Sequence, residues 1–405
     1  MSALSQRIAT TFYRQAARYS ASMLISSSIV KSVVVHRSVA TGEVDFGRSD
    51  IDLLMIVDEE KAAEGANIAS LYRTVNRARF FNPALTDIDV YEPGGIASHA
   101  QLDTVWASIE RRTTTLLGGE PVQIPLVAVN PDHALSRFLL WVEWFFAISL
   151  QQRNSRNLWK ISLECWNAYA SAEGLIREPC ALRSEIEAHA SRIEENLATK
   201  QLGEPSYAAR FVLELADRLH SSRLPPLRKL DKPLIFEATM APLCLRRLFV
   251  IVPRADSPLP PEAFLNGAFI GTPEIFDMFV HAKNAFLHWI LPPELLILGL
   301  QPPSVSEFLS SCRYYSHSRF LFHPGFANPN RPMQSARMTL VQHAMDWASK
   351  CEPAPAIPEL KIHEMMAAGA ATIEEYYRTE YESLWRDSRR IQKTLQKLSG
   401  TAASR

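Results

Sequence analysis

The stretch HRSVATGEVDFGRSDIDLLMIV, residues 36–57, decides how the chain is read. It begins where the apolar run VKSVVVH (30–36) ends. It passes through a polar excursion containing Gly42 and Gly47, and it closes in a run that starts Asp50-Ile51-Asp52. Residues i and i+2 of a strand face the same side. Asp50 and Asp52 are therefore expected to project together, with Ile51 turned into a core. Neighbouring carboxylates repel unless positive charge lies between them. A divalent cation taking hard oxygen ligands, Mg²⁺ first, is one answer. The other is a strand end with two solvated aspartates.

Working outward, residues 3–27 carry Leu4, Ile8, Phe12, Tyr19 and Met23 at helical spacing. Residues 1–42 hold no acidic residue, a composition that also occurs in organelle transit peptides, but the helix is the preferred reading. Residues 30–36 are β-branched and read as a first strand, 39–49 as a loop or hairpin, and 50–57 as the strand bearing the aspartates. A helix over 58–81 follows, with Ile68, Leu71, Tyr72 and Val75 on one side. Residues 85–91 (LTDIDVY) alternate and read as a third strand, in which Asp87 and Asp89 share a face. Residues 99–117 read as a helix closed by Gly118-Gly119 and Pro121.

From Pro131 the pattern changes to long helices. Residues 133–173 are rich in tryptophan and phenylalanine at helical spacing, and 180–222 give one or two more helices. Pro225, Pro226, Pro233, Pro242 and Pro253 punctuate a less regular stretch. Further helices are expected over 273–291, 304–317, 334–350 and 359–397. The fold class expected is α+β: a small mixed-sheet unit over 1–127, then a mainly α-helical region over 128–405, with a subdivision near 224–262.

The 405 residues balance 43 basic against 43 acidic side chains, which argues against a general nucleic-acid binder. The five cysteines form no CxxC pair, so neither a zinc site nor a disulfide framework is indicated, and a cytoplasmic location is expected. Polar residues and prolines interrupt the apolar stretches 138–150 and 286–300 before they reach the length of a membrane span, so no membrane association is expected.

With these residues in view, the chain resembles the DNA polymerase beta-like nucleotidyltransferase superfamily over about residues 30–125. The signature there is a Gly-Ser pair after the first strand, a strand opening Asp-x-Asp about a dozen residues later, and a third carboxylate on a later strand. Ser38 matches the serine. Gly47-Arg48-Ser49-Asp50-Ile51-Asp52-Leu53 is similar to the form of the small bacterial members, and Asp89 matches the third carboxylate, with Asp87 as the alternative. One residue departs from the pattern: Arg37 stands before Ser38 where the family has glycine, whose bare backbone approaches the triphosphate closely. An arginine there can donate to phosphate instead.

The resemblance implies an enzyme that moves a nucleoside monophosphate from an NTP, ATP being expected, to an acceptor and releases pyrophosphate. Asp50, Asp52 and Asp89 would hold two Mg²⁺ ions, and Asp89 would also take the acceptor's proton. Ser38, Arg37, Arg48 and Lys160 would bind the nucleotide. On the first long helix Arg153, Arg156 or Asn157, and Lys160 would share a face able to clamp the triphosphate. Glu143, among tryptophans and phenylalanines, is a candidate base toward the acceptor. His36, His99, His281 and His288 read as structural or surface histidines. A small-molecule hydroxyl is the favoured acceptor, with tRNA or protein as alternatives. The other alternative, a nucleotide-binding regulatory protein without turnover, rests on Arg37.

Overall fold

The computed structural model describes residues 3–281 apart from 48, 63, 92, 147–154, 196, 228–229, 231–233, 241–244 and 252–267, together with residues 289 and 290. At some of these, Asp87 among them, only the backbone is described. The expected helices at 304–317, 334–350 and 359–397 lie outside the described residues.

The chain opens with α1 (Ala3–Ile25), β1 (Val30–His36) and the short α2 (Arg37–Thr41). Next come β2 (Ile51–Val57), α3 (Glu59–Ala62), α4 (Gly65–Phe81) and β3 (Leu85–Tyr91). Then follow α5 (Pro93–Leu102), α6 (Thr104–Thr113) and β4 (Thr114–Gly119). The four strands form one mixed sheet in the order β3-β2-β1-β4. β1 runs antiparallel to both β2 and β4, and β2 runs parallel to β3. A parallel pair needs a crossover, and α3 and α4 supply it.

The strands alternate, and each face has its own partner. Val33, Val35, Leu53, Met55, Ile88 and Val90 form one core with Ala9, Tyr13 and Ala17 of α1 and Leu71, Val75 and Ala78 of α4. Val34, Leu54, Ile56 and Tyr91 point to the other side, onto Ile96 and Ala100 of α5 and Trp106 and Ala107 of α6. Asp103 starts α6 by accepting from the Trp106 N–H at 2.9 Å, the usual job of an aspartate at a helix N-terminus. Its second oxygen pairs with Arg137 at 2.6 Å and so ties α6 to the next helix.

That helix, α7 (Pro131–Trp144), begins the second region. With α8 (Ser155–Ala172), α9 (Arg183–Ile193) and α10 (Pro205–Arg223) it buries a core around Phe138, Phe145, Trp166 and Leu215. Beyond it lies a second four-stranded sheet: β5 (Leu234–Met240), β6 (Leu245–Ile251), β7 (Ala268–Gly271) and β8 (Trp289–Ile290), in the order β7-β6-β5-β8. α11 (Pro273–His281) packs Phe276 and Phe279 into the helical core. The described residues are thus a mixture of helices and mixed sheets.

Three expectations are corrected. The reading of 99–117 as one helix fails, because two helices and the edge strand β4 occupy that span. The stretch near 225–253, expected to be less regular, contains β5 and β6, and β8 occupies the end of the expected 273–291 helix, while helices make up most of the described residues after 128. The loop expected over 39–49 begins inside α2.

Candidate functional site

β1 ends, and β2 and β3 begin, at the same end of the first sheet. The register there pairs His36 with Asp52 across β1 and β2. Across β2 and β3 it pairs Asp52 with Asp87, and Leu54 with Asp89. The face that each residue takes follows from its neighbours. Ile51 and Leu53 lie in the α1/α4 core, so Asp52 points to the opposite face; Ile88 and Val90 place Asp89 there, and Val35 places His36 there. Asp52 is buried, Asp89 is half-buried and Asp50 is exposed. The Thr86 hydroxyl donates to Asp50 Oδ2 at 3.4 Å. The backbone of Asp87, not that of Asp89, is the in-register neighbour of Asp52. Ser38 lies beside this end, half-buried in α2, with its carbonyl accepting from the Gly42 N–H at 2.9 Å.

Beneath this end lies a carboxylate that no local motif announces. Glu110, from the last turn of α6, is 2 % exposed, and His36 is 1 % exposed. His36 Nδ1 donates to Glu110 Oε2 at 2.9 Å, Arg37 Nε donates to Oε1 at 3.4 Å, and the Thr113 hydroxyl donates to Oε2 at 3.3 Å. Burial alone would raise the Glu110 pKa. The charge and hydrogen bond of His36, with Arg37, outweigh it and hold the carboxyl below its ordinary value, although Asp89 pushes back. Burial likewise opposes the charge on His36, but Glu110 overcomes it and, with Asp52, raises the imidazole pKa. Both shifts favour the charged forms of this buried pair. His36 Nε2 is buried and has no hydrogen-bond partner among the described residues.

Arg37 has φ +56°, the left-handed region that a side chain enters at a cost. It is the one non-glycine residue with positive φ among the described residues. The backbone at this position therefore takes the conformation glycine favours, while the residue is an arginine.

Across from the sheet end stands α8. Glu164 on it is half-buried, and burial raises its pKa, while Lys160, Arg183, Arg37 and Arg137 pull it back down. Arg37 thus lies close enough to feel carboxylates from both regions, Glu110 and Glu164. Arg156 is spent on an ion pair with Asp45. Lys160 has no hydrogen bond or ion pair among the described residues. Arg48 and Arg153 lie outside the described residues. Glu143 is buried on α7 beside the core residues Val142 and Phe145.

The loop joining the two halves of the motif is clasped to the second region. Glu43 accepts from the Arg183 and Ser184 N–H groups at 2.8 and 3.1 Å and from the Ser184 hydroxyl at 2.8 Å. Asp45 faces both Arg156 and Arg183, and the Arg183 guanidinium lies 5.4 Å over the Trp159 ring.

The aspartates supply hard oxygens of the type a Mg²⁺ ion takes. Among the described residues, no three His, Cys, Asp or Glu side chains are gathered closely enough to hold a metal ion. No helix of the described residues is long and apolar enough to cross a membrane. Comparison with protein-family models, with curated proteins and with solved structures gives no match.

The sequence places His36 only among structural or surface histidines and does not single out Glu110. The alternation of β1 puts His36 on the same face as Val34, a signal that was available. Glu110 meets His36 across 74 residues, and nothing near it in sequence announces that contact.

Proposed function

We propose that the chain is a metal-dependent nucleotidyltransferase, transferring a nucleoside monophosphate from an NTP to an acceptor hydroxyl with release of pyrophosphate. The observation that carries this reading is the strand arrangement. The segment ending in Ser38, the segment opening Asp50-Ile51-Asp52 and the segment containing Asp87 and Asp89 meet at one end of one sheet, although 51 positions separate Ser38 from Asp89.

Mg²⁺ ions, when bound, would supply positive charge for the attacking and leaving oxygens of such a displacement. Asp50 and Asp52 would hold them, with a third carboxylate from β3. The resemblance favours Asp89 for that part, and the register with Asp52 favours Asp87. The β3 carboxylate would accept the acceptor's proton. Ser38 Oγ, Arg37, Arg48 and Lys160 would hold the phosphates, and charge-assisted donors suit that task. ATP is the expected donor. A small-molecule acceptor is favoured by the balanced charge of the chain, with tRNA or protein as alternatives.

The test is pyrophosphate release with Mg²⁺ and each NTP in turn, against a variant carrying Asp50→Asn and Asp52→Asn. Release by the wild type that the double variant lacks supports the reading. Absence of any metal-dependent nucleotide binding by the wild type overturns it. A second reading, a nucleotide-binding regulatory protein without turnover, is favoured by one observation: the glycine-like backbone at position 37 carries an arginine. Nucleotide binding without pyrophosphate release would select it.

A further inference from the structure

Arg37 combines three features. Its backbone is held at φ +56°, which an arginine adopts only against a steric penalty. Its guanidinium is fixed at one nitrogen by Glu110, a carboxylate that is itself buried and held by His36 and Thr113. Its side chain is nevertheless 45 % exposed, where those of His36 and Glu110 are 2 % exposed. A strained residue persists when its surroundings over-determine it, and such residues cluster where a ligand is gripped. Here the surroundings are a buried acid–imidazole pair whose outer end is an arginine directed to the surface between two regions. A buried carboxylate hydrogen-bonded to a buried imidazole is an expensive way to hold an arginine that reaches the surface, if that arginine does nothing.

We infer that Glu110, braced by His36, is a positioning residue for Arg37, and that the Arg37 guanidinium, not the local backbone, makes the contact to the polyphosphate of the nucleotide. The inference rests on the nucleotidyltransferase reading and adds to it the mode of phosphate binding. A guanidinium presents several N–H donors in a planar fork, so Nε can stay on Glu110 while another of its nitrogens turns to phosphate. The glycine of the resembled pattern would let the ligand come to the backbone. Arginine at the same φ occupies that space and offers charge in its place.

The experiment turns on a contrast of sign. Full-length wild type, Arg37→Gly, Arg37→Ala, Glu110→Gln and the Arg37→Ala/Glu110→Gln double variant are titrated with MgATP and with inorganic tripolyphosphate, and each is melted. Both Arg37 variants are expected to bind tripolyphosphate about tenfold or more weakly, the loss of a charge-assisted contact. The glycine variant is expected to melt about 2 °C or more above the alanine variant, because glycine relieves the strain that alanine keeps. Stability and affinity would then part company: restoring glycine helps the fold relative to alanine and does not help the ligand. Glu110→Gln alone is expected to weaken tripolyphosphate binding several-fold, and to add nothing in the Arg37→Ala background. A merely structural glutamate would weaken both backgrounds equally, and that result refutes the positioning role. Arg37→Gly binding as tightly as wild type, or tighter, refutes the arginine contact while leaving the nucleotidyltransferase reading intact. Wild type that binds neither ligand refutes both. Should Glu110→Gln fail to fold, the exposed Arg37 pair decides the matter alone.

Discussion

The two faces of the first sheet are built by alternate residues of the same strands, yet they do different work. One face is aliphatic from end to end: Val33, Val35, Leu53, Met55, Ile88 and Val90 meet α1 and α4 with no charged residue among them. The other face is divided. Val34, Leu54, Ile56 and Tyr91 pack on Trp106 and Ile96, and the remaining length carries His36, Asp52 and Asp89 above Glu110. The comparison teaches that position parity along a strand separates what holds the fold from what is available for chemistry. Asp52 and Leu53 are neighbours in sequence and belong to different problems.

The largest effect expected on stability breaks the polar face at its base. Glu110→Ala would strand the buried His36 and release Arg37, and losing one partner of a buried ion pair costs about 3–5 kcal/mol. Urea denaturation measures it. Next is Leu53→Ala on the aliphatic face, which empties a fully buried site and costs about 3 kcal/mol. One residue earlier, Asp52→Asn is expected to shift stability by less than about 1 kcal/mol, because it removes a charge from an acidic strand end and opens no cavity. It is expected to abolish Mg²⁺-dependent nucleotide binding. An Asp52→Asn loss of stability as large as that of Leu53→Ala would show that the two faces are not divided in this way.

Stability against pH sharpens the same contrast, since only the polar face titrates. The His36 pKa is raised above its ordinary 6.5, so its contribution is whole below 6.5 and fades as pH rises through the folded value. The Glu110 pKa is lowered from 4.5, so its contribution is whole above 4.5 and fades as pH falls through the folded value. The pair therefore stabilises most between about pH 4.5 and 6.5. Wild-type stability minus that of His36→Gln, followed from pH 4 to 9, is expected to peak in that window. A difference that stays flat across the range would mean that the pair is not ionised.

How much of this was legible in the sequence depends on how local the cause is. β1 and β3 fall where the β-branched runs and the alternation put them, because those patterns are short-range. β4 was hidden. Thr114 follows the last residue of α6 with no breaker between them, and Gly118-Gly119 looks like the end of a helix. What makes this segment a strand is its pairing with β1, where His36 meets Thr114 from 78 positions away, and a contact that only glycine tolerates. A side chain at Gly119, where φ is +86°, would put its Cβ 2.0 Å from the Lys31 carbonyl oxygen. The aspartates on β2 and β3 were legible as a pattern, but their register was not. The irregularity between Ile51 and Asp52 sets Asp87 beside Asp52, and no spacing rule foretells it. The second sheet was masked by prolines that flank its strands, so a stretch that looked irregular is in fact paired.

The smallest expected effect concerns the clasp between the 42–50 loop and α9, which neither face of the sheet contains. Glu43 receives three hydrogen bonds from the start of α9, two of them from backbone N–H groups that the helix cannot satisfy itself. A carboxylate there is favoured both as a cap and by the helix dipole. Glu43→Gln keeps an acceptor oxygen and loses the charge, so about 0.5–1 kcal/mol is expected, near 2 °C in Tm. The more telling readout is protease cleavage within residues 42–50, since this loop joins α2 to β2 and is pinned to α9 by Glu43 and Asp45. Faster cleavage in Glu43→Gln at nearly unchanged Tm would mean that the second region holds the two halves of the motif together. Unchanged cleavage would leave that task to the sheet alone.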